Sequence, residues 1–160
     1  VQEMGLTTCL DTACYGSEDE WEKVLKNTDY VMLCLKGMDD EVASKVAQHP
    51  AKYMSRSKEF ARYIRDHHAD RVKLSLRWVI LEGLTDTDAE LERLIAFAKE
   101  LGPVLTHVQL LPYHELGRDK YEALNIPYPL DDMRPYSKED ALQVQNKVES
   151  AGVKTSLTFL

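Results

Sequence analysis

Five short apolar runs, each followed by a helical pattern before the next begins, constrain this chain more than any other feature. Strands that recur with helices between them bury their backbone polar groups by lining up in a parallel sheet with the helices laid across it. The runs fall at 6–10, 30–35, 72–80, 107–111 and 153–159. Between the first two, Ser17 followed by Glu20 makes a capping-box pattern, and Trp21, Val24 and Leu25 repeat at helical spacing. A second helical region is divided. Asp40 is placed to cap a turn carrying Val42, Val46 and Ala47, and Phe60, Tyr63 and Ile64 continue on a longer helix after Ser57. His49-Pro50 marks the break, because the residue before proline is pushed out of helical geometry. The third helix pairs Thr87 with Glu90 as a capping box, runs an apolar stripe through Leu91, Leu94, Ile95, Ala98 and Leu101, and stops at Gly102-Pro103. The fourth spans about 137–151, with Val144, Val148 and Ala151 inward and Gly152 closing it. The stretch 115–136 holds three prolines and no clean periodicity, so it reads as a long loop of the kind that usually carries function.

With 160 residues, 44% of them hydrophobic, the chain has material for a single core and one domain. A formal net charge of −7 and a pI near 5.2 offer no general attraction for phosphate backbones or anionic lipid surfaces. Nucleic-acid and membrane-surface roles are therefore disfavoured, and a small-molecule or protein partner is expected. No apolar run approaches the ~18–20 residues of a membrane span, and no basic-then-apolar leader opens the sequence. Three cysteines, an odd number with no secretory signal, point to a reducing compartment, and cytoplasmic placement is expected. Because a strand-like run follows soon after Val1, the chain is expected to start inside a longer protein.

In barrels and open sheets built from βα units, reactive groups collect where strands end and feed the following loops. Asp11 and Thr12 close the first run, Lys36 closes the second, Arg77 lies late in the third, and His114 follows the fourth. Side chains alternate across a strand, so Leu74, Leu76, Trp78 and Ile80 share the greasy face that belongs against helices, and Arg77 takes the other. Met32, Cys34 and Lys36 likewise share a face. A lone strand-end lysine is usually a solvated charge. Four strand ends that each offer a charged or titratable group suit a shared polar site instead, able to hold a zwitterionic ligand with a heteroaromatic ring. Cys9 and Cys14 have neither zinc-ribbon nor iron–sulfur spacing and read as structural or incidental thiols. His67 and His68 sit where they complement a helix dipole, and His107 reads as a satisfied strand residue.

The segments Thr8-Cys9-Leu10-Asp11-Thr12, Asp29-Tyr30-Val31-Met32-Leu33-Cys34-Leu35-Lys36, Leu76-Arg77-Trp78-Val79-Ile80 and Leu111-Pro112-Tyr113-His114-Glu115-Leu116-Gly117 stand in an order and spacing that resembles the pyruvate formate-lyase-activating enzymes of the radical S-adenosylmethionine superfamily. The resemblance runs over nearly the whole chain, and the Leu111–Gly117 run is its most specific part. It implies an α/β fold, here a partial (β/α) barrel of about five mainly parallel strands with outer helices. It implies an oxidoreductase that uses S-adenosylmethionine and a [4Fe–4S] cluster to make a radical, which takes a hydrogen from a backbone glycine of pyruvate formate-lyase. An electron donor such as flavodoxin is implied as a second partner. The family's CxxxCxxC cluster loop does not occur in this sequence, so the chain alone is expected to bind no cluster, to hold S-adenosylmethionine weakly and to be inactive.

By the resemblance, Lys36 pairs with the S-adenosylmethionine carboxylate and His114 packs on the adenosine end. Arg77 stands near the peptide substrate and the radical, as the catalytic position. Asp11, Thr12 and the Met32 backbone match ligands of a monovalent cation beside the cofactor carboxylate. Cys34 stands where the family usually has an aspartate, and a neutral thiol is a poor ligand for a hard cation. The rival readings are an activase of another glycyl radical enzyme, a small S-adenosylmethionine- or nucleotide-binding module without radical chemistry, and an interaction domain.

Overall fold

The computed structural model describes residues 2–159. Five strands, β1 (Cys9–Thr12), β2 (Tyr30–Leu35), β3 (Lys73–Ile80), β4 (Leu105–Pro112) and β5 (Thr155–Leu157), form one sheet in the order β1-β2-β3-β4-β5, and every neighbouring pair is parallel. The connections carry α1 (Glu18–Leu25), α2 (Asp40–Ala47), α3 (Ser55–His67), α4 (Asp88–Leu101), α5 (Arg118–Ala123) and α6 (Lys138–Ser150). Strand order that follows chain order, with no reversal, is the winding of a barrel wall rather than of a doubly wound sheet. The wall does not close.

One face of the sheet makes the core. Val31, Leu33 and Leu35 of β2, Leu74, Leu76, Trp78 and Ile80 of β3, and Val108 and Leu110 of β4 are buried with Leu25, Phe60, Ile64, Leu94, Leu101 and Val148 from the helices. The alternation expected from the sequence therefore holds on β2 and β3. On the opposite face Met32, Cys34, Arg77, Val79, His107 and Gln109 are only half-buried and Cys9 and Asp11 are exposed. All-parallel sheets are normally covered on both faces. This one presents a polar, uncovered side.

Glu20 accepts the Ser17 amide at 2.8 Å, which completes the first capping box. The residue capping α2 is Asp39, which accepts from the Glu41 and Val42 amides, whereas Asp40 is the first helical residue and pairs with Lys58. The break at His49-Pro50 is present, with Gln48 turned left-handed at φ 52°. Helix α3 starts at Ser55 and so already includes Ser57, which was expected to precede it.

Two further expectations differ from the structure. The first strand lies at Cys9–Thr12 rather than 6–10, and Leu6 is exposed. Pairing begins only where the Thr8 carbonyl accepts the Asp29 and Tyr30 amides, so the apolar Leu6 precedes the ladder. The stretch 115–136 is not wholly irregular: it contains α5, and Tyr113 Oη meets Tyr128 Oη at 2.7 Å while Tyr136 Oη donates to Asp86 at 2.9 Å. Arg118 pairs with both Glu115 and Asp131, so tertiary ties hold a segment whose sequence lacks periodicity.

Candidate functional site

Strand register sets the open face in rows. Asp11 lies opposite Met32, Met32 opposite Ser75, and Ser75 opposite His107. The next row places Cys34 beside Arg77, Arg77 beside Gln109, and Gln109 beside Ser156. Arg77 reaches across β2 to Asp11, its Nη1 donating to Oδ2 at 2.6 Å. Lys36, one residue past β2, donates from Nζ to Cys34 Sγ at 3.1 Å. Lys36, Cys34, Arg77 and Asp11 thus make one contiguous polar line ending at the C-terminal edge of the sheet. The Asp11 side chain is 51% exposed, and an exposed pair of this kind contributes at most about 1 kcal/mol, so its value lies in aiming the guanidinium rather than in stability. Arg77 Nε and Ser156 Oγ are buried without a hydrogen-bond partner among the described residues.

The other expected residues are placed differently. Thr12 sits on the opposite face from Asp11, and its Oγ1 accepts the Cys14 amide at 2.9 Å, holding Cys14 at φ 41°. Lys36 lines a cavity of about 440 Å³ with Leu35, Cys14, Tyr15, His49 and Tyr53, between the ends of β1 and β2 and the end of α2. His114 lines a separate cavity of about 400 Å³ with Leu81, Tyr121 and Tyr128. Ala47, the last residue of α2, lines both. His114 Nδ1 accepts the Leu116 amide at 3.2 Å, so the neutral ring carries its proton on Nε2.

Burial pushes the Cys14 thiol up to about 12, against smaller opposing effects from Trp21 and Arg56, so it stays protonated and unreactive. His107 is held below the ordinary histidine value, first by burial and then by Lys154, and its Nδ1 meets Thr106 Oγ1 at 3.0 Å. His68 bonds Glu22 at 2.9 Å and His67 stacks on Tyr63, side-chain partners that the dipole reading did not include. Among the described residues, no group of three or more His, Cys, Asp or Glu side chains is arranged to hold a metal ion, and the three cysteines are free thiols.

Sequence reasoning missed two residues that shape the site. Thr87 caps α4 as expected, its Oγ1 accepting the Glu90 amide at 3.4 Å, but the Glu90 carboxylate goes elsewhere, accepting the amides of Met38 at 2.6 Å and Asp39 at 2.9 Å, just beyond Lys36. Lys58 donates to the Met38 carbonyl at 2.7 Å. No local pattern marks either contact. The one available signal was an acidic side chain on the inward side of a helix start.

No protein-family model matches the chain. It is 36% identical over 155 residues, 94% of its length, to the pyruvate formate-lyase 1-activating enzyme of Escherichia coli strain K12, and spans 59% of that protein. It is 36% identical over 138 residues to the pyruvate formate-lyase-activating enzyme of Clostridium pasteurianum, covering 86% of this chain and 55% of the relative. Nearly the whole chain matches a part of the pyruvate formate-lyase-activating enzymes. A solved domain of pyruvate-formate lyase-activating enzyme from Bacteroides vulgatus superposes with a TM-score of 0.75 over 98% of this chain and 84% of that one, at 20% identity, which establishes the shared fold. The chain therefore spans a little over half the length of the curated relatives it matches.

Proposed function

We propose that this chain is the C-terminal part of a radical S-adenosylmethionine activase that takes a hydrogen atom from a backbone glycine of pyruvate formate-lyase. The reading rests most directly on the Lys36–Cys34–Arg77–Asp11 line, which lies on the open face of a wall whose sequence is 36% identical to an activating enzyme over 94% of the chain. Lys36 fits the methionine carboxylate. One of its three N–H groups goes to a thiol, a weak acceptor that a carboxylate outcompetes, and the others remain for the ligand. His114, its proton on Nε2, takes the adenosine end. Arg77, aimed by Asp11, faces the peptide that carries the glycine.

S-adenosylmethionine bound with a reduced cluster supplies the hydrogen-abstracting chemistry. The cysteines of this chain lack the CxxxCxxC spacing, so in this proposal residues of the longer protein would hold the cluster. A monovalent cation at Asp11, Thr12 and the Met32 backbone would have to draw the Asp11 carboxylate away from Arg77, and Cys34 offers it nothing. The test uses the longer protein of which this chain is proposed to be a part. Lys36→Ala should raise the S-adenosylmethionine dissociation constant about tenfold, the loss of one charge-assisted contact. Arg77→Ala should stop 5′-deoxyadenosine formation coupled to the peptide substrate. Unchanged affinity in the first variant and unchanged coupling in the second would overturn the reading.

A further inference from the structure

A carboxylate that is 1% exposed needs a donor at each oxygen, and Glu90 is such a group. It stands in the first turn of α4, where a local cap would return it to its own helix. Its Oε2 instead accepts the Met38 amide at 2.6 Å and Oε1 the Asp39 amide at 2.9 Å, with Arg93 Nη1 donating to Oε1 at 3.0 Å. Both amides belong to the connection that leaves β2 at Lys36. The same connection is gripped from a second direction, since Lys58 Nζ donates to the Met38 carbonyl at 2.7 Å and to Asp40 at 2.6 Å. Gly37 is pressed onto α2 so closely that a Cβ there would lie 2.7 Å from the Ala43 nitrogen. The Lys36 backbone is thus fixed on one side by the ladder, with Leu35 opposite Trp78, and on the other by this clamp. Capping α2 does not require it, because Asp39 already serves the Glu41 and Val42 amides.

We infer that Glu90 is a positioning residue for S-adenosylmethionine binding: by holding the Met38 and Asp39 amides it fixes the backbone from which Lys36 presents its ammonium to the ligand's carboxylate. Lys58 completes the clamp. The inference rests on the reading of Lys36 given above.

The informative variant is Glu90→Gln, which keeps the shape but turns an amide N–H against one of two backbone donors. In this chain, the Met38 and Asp39 amides should exchange with deuterium about tenfold faster, the loss of a hydrogen bond to a charged group. In the longer protein, calorimetry should give an S-adenosylmethionine dissociation constant raised about tenfold. In the Lys36→Ala background the same substitution should add less than about twofold, because no ammonium remains to be positioned. A loss in affinity that persists undiminished in that background marks Glu90 as merely structural and overturns the inference. If Lys36→Ala weakens binding and Glu90→Gln does not, the inference alone fails. If Lys36→Ala changes nothing, the reading of Lys36 fails and takes the inference with it. Should Glu90→Gln not fold, Lys58→Met opens the clamp from the other side, and its loss must likewise vanish without Lys36.

Discussion

Replacing Gly37 with alanine tests how tightly the connection after β2 is packed. Gly37 does not adopt a left-handed φ, so alanine meets no backbone objection there, and the cost is steric alone. The new Cβ would stand 2.7 Å from the Ala43 nitrogen, 3.0 Å from its Cα and 3.1 Å from Val42 Cγ1, where ordinary contact begins at 3.4 Å. The start of α2 would have to withdraw by about 0.7 Å, and it cannot do so freely because the Met38 amide is held by Glu90. Overpacking against backbone costs ~1–3 kcal/mol, offset in part by the ~0.4–1 kcal/mol that alanine gains by restricting the unfolded chain. A net loss of about 1–2 kcal/mol lowers the melting temperature of a chain this size by about 2–8 °C. Gly117→Ala is the control, since nothing lies within 4 Å of its Cβ and its φ is −83°; it should stay within about 0.5 kcal/mol of the parent. Urea and thermal melts of the three proteins decide the matter. A Gly37→Ala protein that melts with the parent would refute the packing argument.

Cys9 is exposed and Cys14 is held protonated, so brief alkylation at pH 8 read by mass spectrometry should label Cys9 and leave Cys14; equal labelling would contradict the burial of Cys14. His107 has a folded-state pKa below its ordinary 6.5, so the unfolded chain binds the proton more readily and this contribution to stability, full above about pH 6.5, is lost as pH falls toward the folded value. His107→Gln should therefore flatten the acid side of the stability profile between roughly pH 7 and 5, and an unaltered profile would remove the assignment. β1 is an edge strand of a sheet with one uncovered face, so this chain should self-associate through that edge, as light scattering would show; a strictly monomeric, cooperatively unfolding species at high concentration would contradict it.

What the sequence made legible follows from range. Strand existence, the parallel sheet and the inward face of β3 rest on periodicity, which is local, and Trp78 and Leu76 fall on the core side as the alternation requires. The placement of Arg77 on the same face as Met32 and Cys34 came from the same rule, and its partner Asp11 proved to be one of the strand-end groups already singled out. The start of β1 was misplaced because apolarity at Leu6 cannot show where Thr8 begins to pair with a strand more than twenty residues later. Only the Thr87 half of the capping box forms, because Thr-x-x-Glu is shared by a self-contained cap and one whose carboxylate clamps Met38, 52 positions away, and Asp39, 51 away. Thr12 shows the limit of adjacency: next to Asp11 in sequence, it lies on the other face of the sheet and serves a local turn.

If this wall is part of an activase, as proposed, a protein that contains it makes a radical on pyruvate formate-lyase. The direct measurement is electron paramagnetic resonance of pyruvate formate-lyase after anaerobic incubation with the longer protein, S-adenosylmethionine and a reductant. A glycyl radical on the lyase that forms with the parent and is lost with both Lys36→Ala and Arg77→Ala is the predicted result. No radical with a protein that binds S-adenosylmethionine and holds its cluster, or a radical indifferent to both substitutions, would contradict it.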